Sequence, residues 1–170
     1  MKSTTPPKLD SLSQLLPCSP ETPPFDYPPP PPRTVTARLL ESIAARMIEM
    51  TQNAEWTHPD WDWLVAQDYI AETPTASFSG TPFAATVGRQ SFIDGVKAYK
   101  EAYPGFQGRP WSIAADVDEV HGTGRVLVLS HVHGNPPPLV MEGVTVVDFV
   151  LTKQGWRAVK QITLGGPRAF

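Results

Sequence analysis

The chain predicts an α+β fold, a cone-shaped, curved antiparallel sheet packed on three N-terminal helices. Two observations carry this. Helical spacing dominates residues 35 to 103, while the last third holds three long alternating runs: RVLVLSHVH (125–133), MEGVTVVDFVLT (141–152) and WRAVKQITL (156–164). Apolar residues at every second position are the mark of a half-buried strand. With helices first and strands after, no strand–helix alternation is left to build a parallel sheet.

The first 33 residues stand apart. They hold 11 of the 20 prolines, ending in the run Pro28 to Pro32. Proline removes amide donors and restricts the residue before it, so this segment reads as an extended, disordered arm. Such an arm is either a plain solvated tail or a docking site for a proline-reading partner. The folded domain is expected over residues 34–170.

Within the domain, Leu40, Ile43, Ala44, Met47, Ile48 and Met50 follow helical spacing and predict an amphipathic helix over 35–52. Thr57 followed by Asp60 resembles a capping box, opening a second helix that carries Trp61, Leu64, Val65 and Tyr69. Trp61 and Trp63 lie two apart and cannot share a helical face, so at least one is expected at the surface. Pro74, Gly80 and Pro82 then break the chain into two extended pieces, YIAETPTASFSG and FAATVG. A third helix is expected over 90–103, with Phe92, Val96, Tyr99 and Tyr103 on one face and Pro104-Gly105 ending it. WSIAADVDEVHG precedes the three long strands and completes a four-stranded meander. A twisted sheet of this length can curl over one long helix and leave an open-ended pocket.

Composition narrows the function classes. The chain is 41% hydrophobic and 18% charged, with net charge −3 and no basic run, which argues against nucleic acid as a partner. No apolar stretch approaches the roughly 20 residues of a membrane span. MKSTTPPKLD lacks the apolar core of a secretory signal, and the single Cys18 permits no internal disulfide. A cytoplasmic protein is expected.

The chemistry-bearing residues concentrate on the long strands. His131 and His133 lie two apart and therefore project from one face, together with Leu127 and Leu129; Val126, Val128, Ser130 and Val132 make the other. An imidazole with a pKa near 6.5 suits proton transfer near neutral pH, and a second imidazole or Glu142 is placed to return the proton. The alternative is two inert histidines at a dimer seam. Glu142 is equally readable as a solvated carboxylate at a strand start. The His-x-His pair resembles that of cupins, in which a metal-binding Glu follows four or five residues later; Pro137 and Pro138 stand there and Glu142 comes nine after His133, so no metal is expected. Tyr69 and Tyr99 are candidate polar handles of a pocket, since a buried phenol needs a partner. Trp111 is a candidate ligand contact. Lys160 shares parity with Trp156, Ala158, Ile162 and Leu164, and is placed at a pocket rim.

Several strings together resemble the nuclear transport factor 2-like superfamily, nearest to its SnoaL-like and ketosteroid-isomerase-like branches. They are DYIAETPTASFSG, VGRQSFIDGVKAY, DEVHGTGRVLVLSHVHG and FVLTKQGWRAV, and the likeness spans residues 35 to 165. The resemblance implies a cystatin-like α+β roll, a homodimer and a conical cavity for an apolar, oxygenated molecule such as a polyketide or terpenoid. It further implies cofactor-free cyclase, dehydratase or isomerase chemistry, or a binding or dimerisation module on the same scaffold. In the isomerase branch the base is an Asp at the position that Thr73 occupies here. In the cyclase branch a His on the second long strand and an Asp on the third form the acid–base set, which would be His131 or His133 with Asp148. Phe149 matches an inward-pointing aromatic, Thr145 and Val147 share its face, and Asp148 has the opposite parity.

Overall fold

The computed structural model describes residues 33–72, 85–133 and 140–167. Nearly all of the Pro-rich arm (residues 1–32), Thr73, Pro74 and most of the two extended pieces after Tyr69 lie outside the described residues. Helix α1 spans Val35–Gln52, as its spacing predicts. The Thr34 hydroxyl accepts from the Ala37 amide at 3.0 Å, satisfying one of the amides left unbonded at a helix start. Leu40, Ile43, Ala44, Met47 and Met50 form its buried face.

Helix α2 is shorter than expected, Asp60–Leu64. Val65 and Tyr69, assigned to it from sequence, belong instead to strand β1, Val65–Glu72. Both residues are fully buried. Spacing of four puts them on one face of a strand as well as of a helix, so periodicity alone does not separate the two. The expected capping box does not form: Pro59 precedes α2 without a side-chain cap. Asp60 instead accepts from Arg46 Nε at 2.8 Å. Trp61 is buried and Trp63 exposed.

Strand β2 is brief, Thr86–Val87. Gly88 then turns into helix α3, Arg89–Ala102, at φ 99°, a conformation that favours glycine. At the far end of α3, the Lys100 ammonium donates to the Thr51 and Gln52 carbonyls at the C-terminus of α1, where a cation is favoured.

Strands β3 (Gln107–Asp118), β4 (Thr123–His133), β5 (Val140–Thr152) and β6 (Gly155–Pro167) form the expected antiparallel meander. The six strands make one curved sheet in the order β2-β1-β6-β5-β4-β3. One pairing departs from expectation, because β1 runs parallel to β6. Helix α3 together with strands β2 to β5 makes the long connection that parallel strands require.

The core lies between α1, α3 and one face of this sheet. Leu40, Met50, Val65, Tyr69, Val126, Ala158 and Phe149 are at most 1% exposed, each large apolar side chain contributing about 1.5–3 kcal/mol on burial. Gly124 is required by close approach, since a methyl there would overlap Leu40 Cδ1.

Candidate functional site

The β4 and β5 residues that face α1 are Val126, Val128, Ser130 and Val132, and Met141, Gly143, Thr145, Val147 and Phe149. Between this wall and helices α1 and α3 lies a cavity of about 180 Å³. Its helical side is Ala44, Met47, Ile48, Thr51 and Gln52 of α1 with Phe92, Val96 and Tyr99 of α3. Phe106, Gly108 and Pro110 close one end, and Ala71 and Thr86 line it from β1 and β2. Tyr99 packs edge-on against Phe106 at 4.9 Å between ring centroids.

The polar groups of the sheet wall form a chain. The Tyr69 hydroxyl donates to Gln161 Oε1 at 2.9 Å. Gln161 Nε2 donates to Thr163 Oγ1 at 2.9 Å. Thr163 and Thr145, directly opposite each other on β6 and β5, share a hydroxyl–hydroxyl bond of 3.2 Å. Burial drives the Tyr69 pKa well above the ordinary phenol value, so the group remains a proton-bearing donor. Its ring packs edge-on against Phe92 at 5.1 Å. Thus Tyr69 stands one hydrogen bond behind the cavity surface, while Tyr99 and Thr145 line it directly. Phe149 is buried in the core cluster below that surface.

The expected acid–base set lies elsewhere. His131 pairs directly with Glu142, and His133 with Val140, across β4 and β5. Their parity is that of Leu127 and Leu129, opposite to the cavity wall, because side chains alternate strictly along a strand. His131, His133 and Asp148 are therefore absent from the cavity lining, and so is Glu142, which is exposed. Asp148 accepts from Arg125 Nε at 2.7 Å on that outer face. Trp111, 58% exposed, lies there too, its ring 6.3 Å from the His131 ring. The structure thus separates the histidines, Asp148, Glu142 and Trp111 from Tyr99 and Thr145.

Gln161 and Thr163 are the polar lining residues the sequence hides. Counting parity back from Lys160 to Ala158 places both on one face. The register shift between Asp148/Phe149 and their β6 partners Lys160/Ala158 marks a bulge. An extra residue in one strand turns its subsequent side chains to the other face. Ala158 is buried while Lys160 pairs with Glu72 at 3.0 Å, and Gln161 and Thr163 face inward. Ser130, Thr51 and Gln52 share faces already assigned as apolar, and their polar character was the available signal.

No protein-family model and no curated protein matches the chain. Solved structures do. An NTF2-like protein of unknown function from Pseudomonas putida aligns over 78% of this chain and 87% of its own, at TM-score 0.62 and 9% identity. A proposed dehydratase of the NTF2-like family from Streptomyces avermitilis aligns over 79% and 97%, at TM-score 0.59 and 11% identity. A proposed ketosteroid isomerase from Shewanella frigidimarina aligns over 73% and 93%, at TM-score 0.56 and 10% identity. At such identities the likeness concerns the backbone, not the chemistry. The α+β architecture of this chain is the NTF2-like, cystatin-like fold.

Proposed function

We propose that the chain binds a neutral, apolar small molecule that carries oxygen, in the cavity between α1, α3 and the sheet. One observation supports this above the rest: among the described residues, the lining contains no Asp, Glu, His, Lys or Arg. An ion entering such a wall loses its hydration without gaining a counter-charge. Apolar walls with a few placed hydroxyl and amide groups are the usual make-up of a small-molecule site. The volume suits a molecule of about one ring, since an apolar cavity of about 150 Å³ takes up benzene. Acid–base chemistry run by His131, His133 and Asp148 finds no support in this lining.

Titration of the full chain with the aromatic ketone acetophenone, followed by two-dimensional NMR, tests the reading. Saturable shifts at Val128, Val147, Thr145 and Val96 are expected, with the double variant His131→Ala/His133→Ala binding within about twofold of the parent. Absence of saturable shifts at those positions overturns it, and loss of binding in the histidine variant returns the site to the other face.

A second reading concerns the outer face. There, Leu129, Val144 and Leu164 form one cross-strand row, and Ala114, Leu127, Val146 and Ile162 another. Asp116, Arg125, Asp148 and Lys160 bound them on one side. Arg109, His131 and Glu142 bound them on the other. An apolar centre with a charged rim is the anatomy of a protein interface. The alternating signs of the four-residue row match a second copy turned about a two-fold axis, which supports a homodimer.

A further inference from the structure

We infer that the Thr145–Thr163 pair is a hydrogen-bond donor site for a neutral carbonyl oxygen, which makes the ligand a ketone, ester or lactone rather than an alcohol-free hydrocarbon or an acid. The inference rests on the cavity being a ligand site.

The argument is a count of hydrogens. Tyr69, Thr145 and Thr163 each bring one O–H, and the Gln161 carboxamide brings two N–H. Three bonds join these four side chains. Each bond uses one hydrogen, so two of the five remain. Turning the Gln161 amide over, or reversing the bond between the threonines, moves the spare hydrogens without changing their number. With the amide as placed, Gln161 donates to Thr163, and one hydroxyl hydrogen of the threonine pair has no acceptor among the described residues. The oxygens of these four side chains, by contrast, each take part in at least one of the three bonds. Thr145 and Thr163 are half-buried on the cavity lining, so a hydroxyl hydrogen there without a protein acceptor is open to an acceptor on a ligand.

Two features suit a carbonyl at this point. Gly143 lies two residues before Thr145 on the same face of β5, and a methyl there would stand 3.0 Å from Ser130 Oγ and 3.1 Å from Val132 Cγ2. The missing side chain lets Ser130 and Val132 pack close beside the hydroxyl, so that β5 adds no bulk of its own there. The Thr145 strand neighbour Val128, and Val147 next along its face, are apolar and line the cavity. They hold the body of a ligand whose oxygen meets the threonines. A carboxylate would lack a cation, whereas a carbonyl needs only the donor that is present.

Tyr69 and Gln161 act as positioning residues. The phenol fixes the carboxamide, and the carboxamide occupies one lone pair of Thr163.

Two probes of equal shape test this, acetophenone and α-methylstyrene, in which a methylene replaces the carbonyl oxygen. Both are titrated into the full chain, into Thr145→Val/Thr163→Val, and into Thr145→Ser/Thr163→Ser. The valine variant should lose acetophenone affinity by about fivefold to tenfold and keep α-methylstyrene within about twofold. The serine variant retains both hydroxyls and should keep the preference of the parent. It also serves if the valine variant does not fold, because a serine variant that loses the preference overturns the assignment. Equal losses for both probes in the valine variant, or none, likewise remove the donor site and leave the cavity reading in place. If neither probe binds the parent chain, the cavity reading falls and takes the donor site with it.

Discussion

Tyr69 and Gln161 lie 92 positions apart in the chain, and their side chains meet at 2.9 Å. The bond joins β1 to its parallel neighbour β6 at the side-chain level as well as through the backbone. Tyr69→Phe keeps the ring against Phe92 and leaves Gln161 Oε1 without its donor. The expected cost is about 1–2 kcal/mol, read from urea unfolding at pH 7.

The same phenol predicts an alkaline limit. Burial raises its pKa in the folded state, while in the unfolded chain it is about 10. The native state therefore holds the proton longer. This contribution is fully present below about pH 10 and is lost as pH rises from there toward the raised folded value. Unfolding midpoints measured from pH 8 to 11 should fall more steeply for the parent than for Tyr69→Phe.

At the β3–β4 turn the sign is opposite. Asp118 accepts from the His121 backbone amide at 3.0 Å and lies 2.6 Å from His121 Nδ1. These bonds, the backbone one first, hold its carboxyl pKa below the usual value. The stabilisation is present above the unfolded carboxylate pKa, about 3.9, and is lost as pH falls through the lowered folded value. Asp118→Asn should flatten the acid limb of stability between about pH 4 and 2, measured by thermal unfolding. Exposure of the turn keeps the effect small.

Close packing at Gly124 gives a direct core test. A methyl at this position overlaps Leu40 Cδ1, and Leu40 is fully buried. Gly124→Ala should destabilise by about 1–3 kcal/mol through overpacking, whereas Gly155→Ala meets nothing within 4 Å and is strained only through its φ of 107°. Paired urea titrations separate the two causes.

The outer face is tested by charge. Leu127 is 39% exposed in its apolar row, so Leu127→Glu buries a carboxylate without a counter-charge in the apolar centre of the dimer interface. Light scattering should give a dimer mass for the parent and a monomer mass for the variant, with the circular dichroism spectrum unchanged. A parent that remains monomeric at 100 µM removes the dimer reading.

Much of this arrangement is legible in the amino-acid sequence. The α1 stripe, the four-stranded meander and the shared face of Thr145, Val147 and Phe149 follow from periods that the backbone imposes. What escaped did so for identifiable reasons. Val65 and Tyr69 satisfy both helical and strand spacing. The parallel pairing of β1 and β6 is a contact between distant segments, which no local window carries. The bulge after Ala158 reversed the parity on which Lys160, Gln161 and Thr163 were judged. For the histidines, alternation alone left the two faces equivalent, and the side covered by α1 decided the matter.

The position of β6 bears on how the protein is made. Strand β6, the last of the described strands, lies between β1 and β5, not at an edge. On the ribosome, a nascent chain that has not yet delivered Gly155–Pro167 exposes two unpaired strand edges, one on each side of the gap. Neither can be satisfied locally, and open edges invite pairing with other chains. Gly155–Pro167 must therefore be delivered before the sheet closes, and a truncation between Thr152 and Gly155 leaves two adhesive halves in place of one sheet.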